Sequence, residues 1–425
     1  MNLQEFIKRC PTQFHAALTV CEILADKGFT ELRENENWSI TNGGKYFSVR
    51  NGSSVIAFTV PSATPNRFML SASHSDSPCF KIKENGLVTL GEYQKLATER
   101  YGGTLNSTWL DRPLSIAGRI TVKTDNGIEI RTVDFKKPCA VIPNVAPHLL
   151  KNSNDGIKYN PAVDLVAFYA ADKNPSFYDD LAEVAGVEKE NILSTDIQLY
   201  VYEDAVEYND LVSAPRLDDL QCVFATLKAF INSDISDENI NMFCVFDNEE
   251  VGSSTKQGAD STFLTDIITR ICESLGISEQ QKCILTAQSL MLSCDNAHAL
   301  HPNQPSLSDS NNAPVINGGV VIKYNANQKY TSDAVSSGIF KVICEKAGVP
   351  VQTYANRADL PGGSTLGNIS NTKFSLNTVD IGIAQLAMHS AFETSGVKDT
   401  EYFIKAVSQF YNTKIIVDGN NIKLN

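Results

Sequence analysis

Four short apolar runs, far apart in the chain, each end in acidic residues or a histidine. Phe68-Met69-Leu70-Ser71-Ala72-Ser73 leads into His74-Ser75-Asp76, and Phe243-Cys244-Val245-Phe246 into Asp247-Asn248-Glu249-Glu250. Leu290-Met291-Leu292-Ser293-Cys294 leads into Asp295, and Ile381-Gly382-Ile383-Ala384-Gln385-Leu386-Ala387-Met388 into His389. Runs of this kind read as buried strands. From about 215 onward they alternate with helical patterns. Leu220, Val223, Phe224, Leu227, Phe230 and Ile231 share one helical face, and helices are expected over 261–275 and 331–347. This alternation predicts an α/β fold, a mixed sheet sandwiched by helices. Ligands of such sheets bind beyond the carboxyl ends of strands, so the four polar termini are expected at one edge.

The amino-terminal region fits the same layers. Residues 14–28 read as an amphipathic helix ending near Gly28, and Asn51-Gly52 joins two strand-like runs, 46–50 and 55–60, as a hairpin. Between about 80 and 210 the texture changes. Lys81 to Gly91 reads as short strands, Asp125-Asn126-Gly127 marks a second hairpin, 198–202 is β-like, and 140–180 is long and irregular. The chain therefore reads as one α/β domain built from 1–80 and 215–425, interrupted by a mostly β insertion over 81–214.

Charge and cysteines limit the partners. Lys+Arg 36 against Asp+Glu 49 gives a net charge of −13, which argues against nucleic acid or an anionic membrane surface. No apolar run approaches the length of a membrane span. Ten scattered cysteines form no Cys-x-x-Cys pair, and Met1 to Phe6 carries no export signal, so a reducing cytoplasm is expected.

Pro215-Arg216-Leu217-Asp218-Asp219 precedes the Leu220 helix, where an aspartate can cap the helix or place a carboxylate at the sheet edge. Two imidazoles and several carboxylates at one edge suit two divalent cations, zinc first, with manganese or cobalt as alternatives. The adjacent acids Glu249 and Glu250 repel in a closed site unless cations neutralise them. One can then ligate while the other takes a proton from an activated water. Asp76, two residues after His74, can orient its imidazole. Each residue alone also has an ordinary structural reading, and the conjunction carries the argument. No His-Glu-x-x-His, Gly-x-Ser-x-Gly or phosphate-loop motif competes. His298-x-x-His301 lacks a third ligand and reads as structural.

Six ordered stretches together resemble the aspartyl aminopeptidase-type family of di-zinc exopeptidases. They are Ser73 to Cys79, Ser107 to Leu114, Ser213 to Leu220, Asp247 to Ser253, Asp295 to Asn303, and Gln385 to Ser390. The resemblance implies one metal on His74, Asp218 and Asp295 and a second on Asp218, Glu250 and His389, with Asp218 bridging. Glu249 would be general base and acid, and Asp76 would orient His74. It also implies an α/β catalytic domain carrying an inserted β dimerisation domain, with dimers assembling into a dodecamer. His148 matches a histidine that reaches a neighbouring subunit's site; the alternative is a surface histidine. Lys323 matches a lysine near the substrate side chain, where a cation favours an amino-terminal Asp or Glu. The alternatives are a lysine in solvent and a neutral first residue. The expected activity is a cytosolic metallo-aminopeptidase acting on peptides. Its rivals are another di-metal amide hydrolase, such as a deacylase or carboxypeptidase, and a catalytically silent assembly protein.

Overall fold

The computed structural model describes residues 1–150 and 154–425. Its central layer is a nine-stranded mixed sheet. Across it the strands are Thr30–Glu31, Lys45–Arg50, Ser54–Thr59, Asn239–Phe246, Arg67–His74, Leu290–Cys294, Asn377–Gly382, Val320–Tyr324 and Val351–Ala355. Asn239–Phe246, Arg67–His74, Leu290–Cys294 and Asn377–Gly382 run parallel to one another. The first three are buried along their whole length. That explains their unbroken apolar runs: parallel strands covered on both faces show no polar alternation.

Helices cover both faces. Gln13–Asp26, Leu217–Asn232, Ala334–Ala347 and Val397–Asn412 pack Val20, Phe224, Phe340 and Phe410 into one core with Met69 and Phe243. Phe263–Ser274, Glu279–Ala287 and Leu366–Lys373 pack Ile267, Leu285 and Leu366 into the other, with Phe68 and Met242. Successive strand residues thus feed opposite cores, as the period of two requires. The hairpin expected at Asn51-Gly52 pairs Lys45–Arg50 with Ser54–Thr59, and both turn residues have φ near +60°.

A separate six-stranded antiparallel sheet lies within Cys79–Val201 and has its own core around Phe80, Leu96, Trp109, Leu114 and Leu199. Lys81 to Gly91 is not a set of short strands but part of one strand, Cys79–Leu90, with a register shift between Ile82 and Leu87. The stretch near 140–180 contains a strand, Ala167–Ala170, and a helix, Phe177–Ala185, capped by Ser176. Two and a half turns are too few for helical periodicity to stand out.

The run ending in His389 also departs from expectation. Asn377–Gly382 belongs to the nine-stranded sheet, whereas Ala384–Leu386 joins a five-stranded sheet beside Glu393–Gly396 and Ala297–His298. A Cβ on Gly382 would lie 2.1 Å from the Asp295 carbonyl oxygen, so only glycine allows the chain to cross there. Among the described residues, no helix is long and apolar enough to cross a membrane.

Candidate metal centre and active site

Register brings the polar strand ends together. His74 pairs with Phe246, the residue before Asp247, and Cys294, the residue before Asp295, pairs with Ile381. Past Phe246 the chain enters a short turn, Glu249–Val251, through Asn248 at φ +63°. Asp218 and Asp219, joined by a cis peptide bond, lie buried at the start of Leu217–Asn232. His389, at φ +66°, arrives from the five-stranded sheet.

Asp218 stands between two imidazoles. Its Oδ1 is 3.4 Å from His74 Nε2, and its Oδ2 is 3.6 Å from His389 Nε2. Glu250 Oε2 lies 3.4 Å from His389 Nε2, and Asp295 Oδ1 lies 3.8 Å from His74 Nε2. These gaps exceed ordinary hydrogen bonds. They approach the ligand–ligand spacing of about 3.3 Å that bonds of 2.0–2.1 Å at a tetrahedral angle produce. Asp218 Oδ1 is buried without any hydrogen-bond partner. Among the described residues, three overlapping groups could each hold an ion: His74 with Asp218, Asp219 and Asp295; His74 with Glu249 and Glu250; and Asp218 with Glu250 and His389. The donor set therefore fits divalent cations.

Both imidazoles are oriented from behind. His74 Nδ1 lies 3.0 Å from the Asp76 carbonyl oxygen, and His389 Nδ1 lies 3.1 Å from that of Gly103. With Nδ1 donating to a carbonyl, Nε2 is the ring nitrogen that faces the acids and is placed to ligate a cation. The Asp76 carboxylate also has a second set of partners, which the sequence did not suggest. Its oxygens accept the backbone N–H groups of Glu249 and Glu250, both at 3.1 Å, and the Tyr101 hydroxyl at 2.7 Å. It is 3.4 Å from His74 Nδ1, so it holds the glutamate pair more closely than the histidine.

Lys323 is not in solvent: it lies at the wall of the cavity that the acids and imidazoles share. It is 2% exposed, and its Nζ donates to Asp295 O at 2.9 Å, Asp295 Oδ2 at 3.1 Å and Asn296 O at 3.1 Å. An ammonium has three protons, and these partners take all of them. His148 lies exposed between the strands Gly127–Asp134 and Ala167–Ala170 and is not among the residues that converge here.

Sequence reasoning missed Asp219, whose Oδ2 accepts the His74 backbone N–H at 3.1 Å, and Tyr101 and Gly103 of the inserted segment. Asp219 had a signal, since it doubles Asp218 as Glu250 doubles Glu249. Tyr101 and Gly103 had none.

Burial is the main force on the acids. It lifts Glu249 to about 8 and Glu250 and Asp219 well above the usual carboxylate range, with neighbouring carboxylates adding to it. For His74, burial opposes protonation, but Asp219, Asp218, Asp295 and Asp76 together hold its pKa well above 6.5. Burial would also raise Asp295; Lys323 and His74 overcome it and keep that carboxyl low. The cluster opens into a cavity of about 320 Å³ lined by Glu249, Tyr330, Tyr354 and Met388.

Residues 6–411 match the aminopeptidase I zinc metalloprotease (M18) family. The chain belongs to the M18 family. This M18 chain is 42% identical over 425 residues to the "Probable M18 family aminopeptidase 2" of Clostridium novyi, covering 97% of this chain and 98% of that one. It is 37% identical to the protein of the same name from Pseudomonas savastanoi pv. phaseolicola, at 96% and 97% coverage. The fold matches the chain in a cryo-EM structure of an Ape4 and Nbr1 complex, with TM-score 0.93, 32% identity and coverage of 96% and 84%. It also matches the crystal structure of prApe1, with TM-score 0.91, 27% identity and coverage of 96% and 93%. The M18 protein is accordingly a zinc-dependent aminopeptidase, and the expected α/β architecture is that of its solved relatives.

Proposed function

We propose that this M18 enzyme removes single residues from the free amino termini of peptides at a pair of divalent cations, zinc in the first instance. His74, Asp218 and Asp295 would hold one, and Asp218, Glu250 and His389 the other. Asp218 carries this reading: one buried carboxylate directs separate oxygens at two imidazoles, and one of those oxygens has no other partner. When bound, the cations polarise the scissile carbonyl and make water acidic enough to attack near neutral pH. Glu249, outside both ligand triads, accepts the proton of the attacking water and returns it to the departing amine. Asp76 fixes Glu249 for that task by accepting its backbone N–H.

The test separates binding from turnover. Glu249→Gln is expected to retain two equivalents of metal while kcat falls about 10²–10⁴-fold. Turnover like that of the wild type removes Glu249 from the mechanism. Peptides acetylated at the amino terminus are expected to resist cleavage; equal cleavage points to a different amide hydrolase.

We also propose that 1–80 with 215–425 is the catalytic unit and that the insertion over 81–214 pairs two copies, the dimers assembling further. Its edge strand, Gly127–Asp134, leaves Ile128 66% and Ile130 63% exposed, an apolar row suited to a second copy. The S. cerevisiae mApe1 dodecamer, 27% identical with TM-score 0.83 and coverage of 96% and 95%, supports the dodecamer as the end state. In such an assembly His148 would approach a neighbour's cavity. Light scattering of the purified chain checks the copy number. The ten unpaired cysteines support a reducing compartment, the cytoplasm.

A further inference from the structure

Glu393 opens the strand Glu393–Gly396 and is 1% exposed. Its Oε2 accepts the backbone N–H of Asp218 at 3.0 Å, and its Oε1 accepts the backbone N–H of His389 at 2.7 Å. One carboxylate thus joins two residues 171 positions apart in sequence, read off as 389 less 218. The nearby guanidinium of Arg216 donates instead to the carbonyls of Cys10 and Ile7. A buried carboxylate is costly unless its oxygens are satisfied, and here backbone amides satisfy them.

Both amides belong to unusual turns. Arg216 has φ +59°, and Ala387 and His389 have φ +56° and +66°. Side-chain-bearing residues seldom take such conformations unless the surroundings hold them. The chemistry also selects an acid at 393. A glutamine can accept at one atom only, and its NH₂ would face a second N–H donor.

We propose that Glu393 is a positioning residue that sets the separation of the two metal sites. It does so by clamping the backbone of Asp218, which faces both sites, to that of His389, which faces one. The proposal rests on the reading of Asp218 and His389 as metal ligands, and the experiment distinguishes the two ideas.

Metal-free wild type, Glu393→Gln, Glu393→Asp and a His389→Gln control are titrated with cobalt(II), with the visible absorption of the bound ion as readout. Far-UV circular dichroism confirms folding. Both Glu393 variants are expected to bind the weaker cobalt about 10–100-fold less tightly and with a shifted spectrum. Should the glutamine variant fail to fold, the aspartate variant decides on the same readouts. Wild-type affinity and spectrum in the folded Glu393 variants overturn the clamp, and His389→Gln is then still impaired. If wild type and His389→Gln instead take up cobalt identically, the ligand reading itself has failed and the clamp with it.

Discussion

The Lys323 ammonium lies 3.1 Å from Asp295 Oδ2, and its other hydrogen bonds go to the carbonyl oxygens of Asp295 and Asn296. This arrangement makes the lysine a brace for Asp295. Lys323→Met leaves that carboxylate buried without its cation, and metal affinity at the His74 site is expected to fall about 10–100-fold. Competition with a chromophoric zinc chelator measures it. Because the brace acts on the site and not on the substrate, kcat/KM should drop by one common factor for peptides beginning with Leu or Glu. A loss confined to acidic first residues restores the substrate-binding role.

The insertion reaches the metal centre through its own backbone. A Cβ on Gly103 would lie 3.1 Å from His389 Nδ1, closer than ordinary contact, and the Gly103 carbonyl is what orients that ring. Gly103→Ala is expected to weaken the His389 site and lower kcat/KM about tenfold or more. Tyr101→Phe removes only the hydroxyl that bonds Asp76 and Asn248, so its effect should be smaller and fall on kcat. Steady-state kinetics with saturating zinc compares the two. Wild-type constants for both would make the insertion irrelevant to chemistry.

The meeting of acids and imidazoles was largely legible in the sequence because His74, Glu249, Glu250 and Asp295 sit where apolar runs stop abruptly at charge, while Asp218 was legible as an acid at the start of a helix. A strand buried on both faces leaves that signature within a few residues. His389 was legible as a residue but not in its path, since the crossing at Gly382 depends on a close approach to Asp295. Gly103 and Glu393 were invisible for a further reason. Gly103 supplies a backbone oxygen that every residue carries, and Glu393 binds backbone N–H groups, so neither leaves a spacing to find. The helix Glu279–Ala287 went unseen because it buries only Leu285.

Stripping the metal should destabilise the fold. Without cations, Asp218, Glu249, Glu250 and Asp295 share one buried site. Restoring zinc at 100 times its dissociation constant is expected to stabilise by about 2.7 kcal/mol per site. The stripped protein also carries a distinctive pH slope. The Glu249 carboxyl titrates near 8 when folded, against 4.5 as the ordinary value, because burial disfavours its charge. Between those values the folded chain holds more protons than the unfolded one, so stability falls as pH rises from about 4.5 to 8. Thermal unfolding in excess EDTA at several pH values, with and without Glu249→Gln, reads this slope. A melting temperature indifferent to zinc contradicts the coupling.

His15 provides an acid limit that is separate from the metals. It occupies the third position of Gln13–Asp26, and its Nδ1 lies 2.9 Å from the Oγ1 of Thr12, the capping residue. Burial pushes its pKa down from 6.5 to about 4, and the positive end of a helix disfavours the imidazolium in the same direction. Between pH 6.5 and 4 the unfolded chain therefore binds the extra proton. The contribution of the neutral ring is complete above pH 6.5 and is lost as pH falls toward 4. At 1.36 kcal/mol per unit it amounts to about 1–3 kcal/mol, allowing for partial exposure. His15→Gln retains a polar side chain but removes the titration, so its stability should decline less steeply than that of the wild type over this range. Urea unfolding of both proteins from pH 7 to 4.5 is differential, so proton uptake at the metal cluster cancels. Parallel curves would place the acid sensitivity elsewhere in the fold.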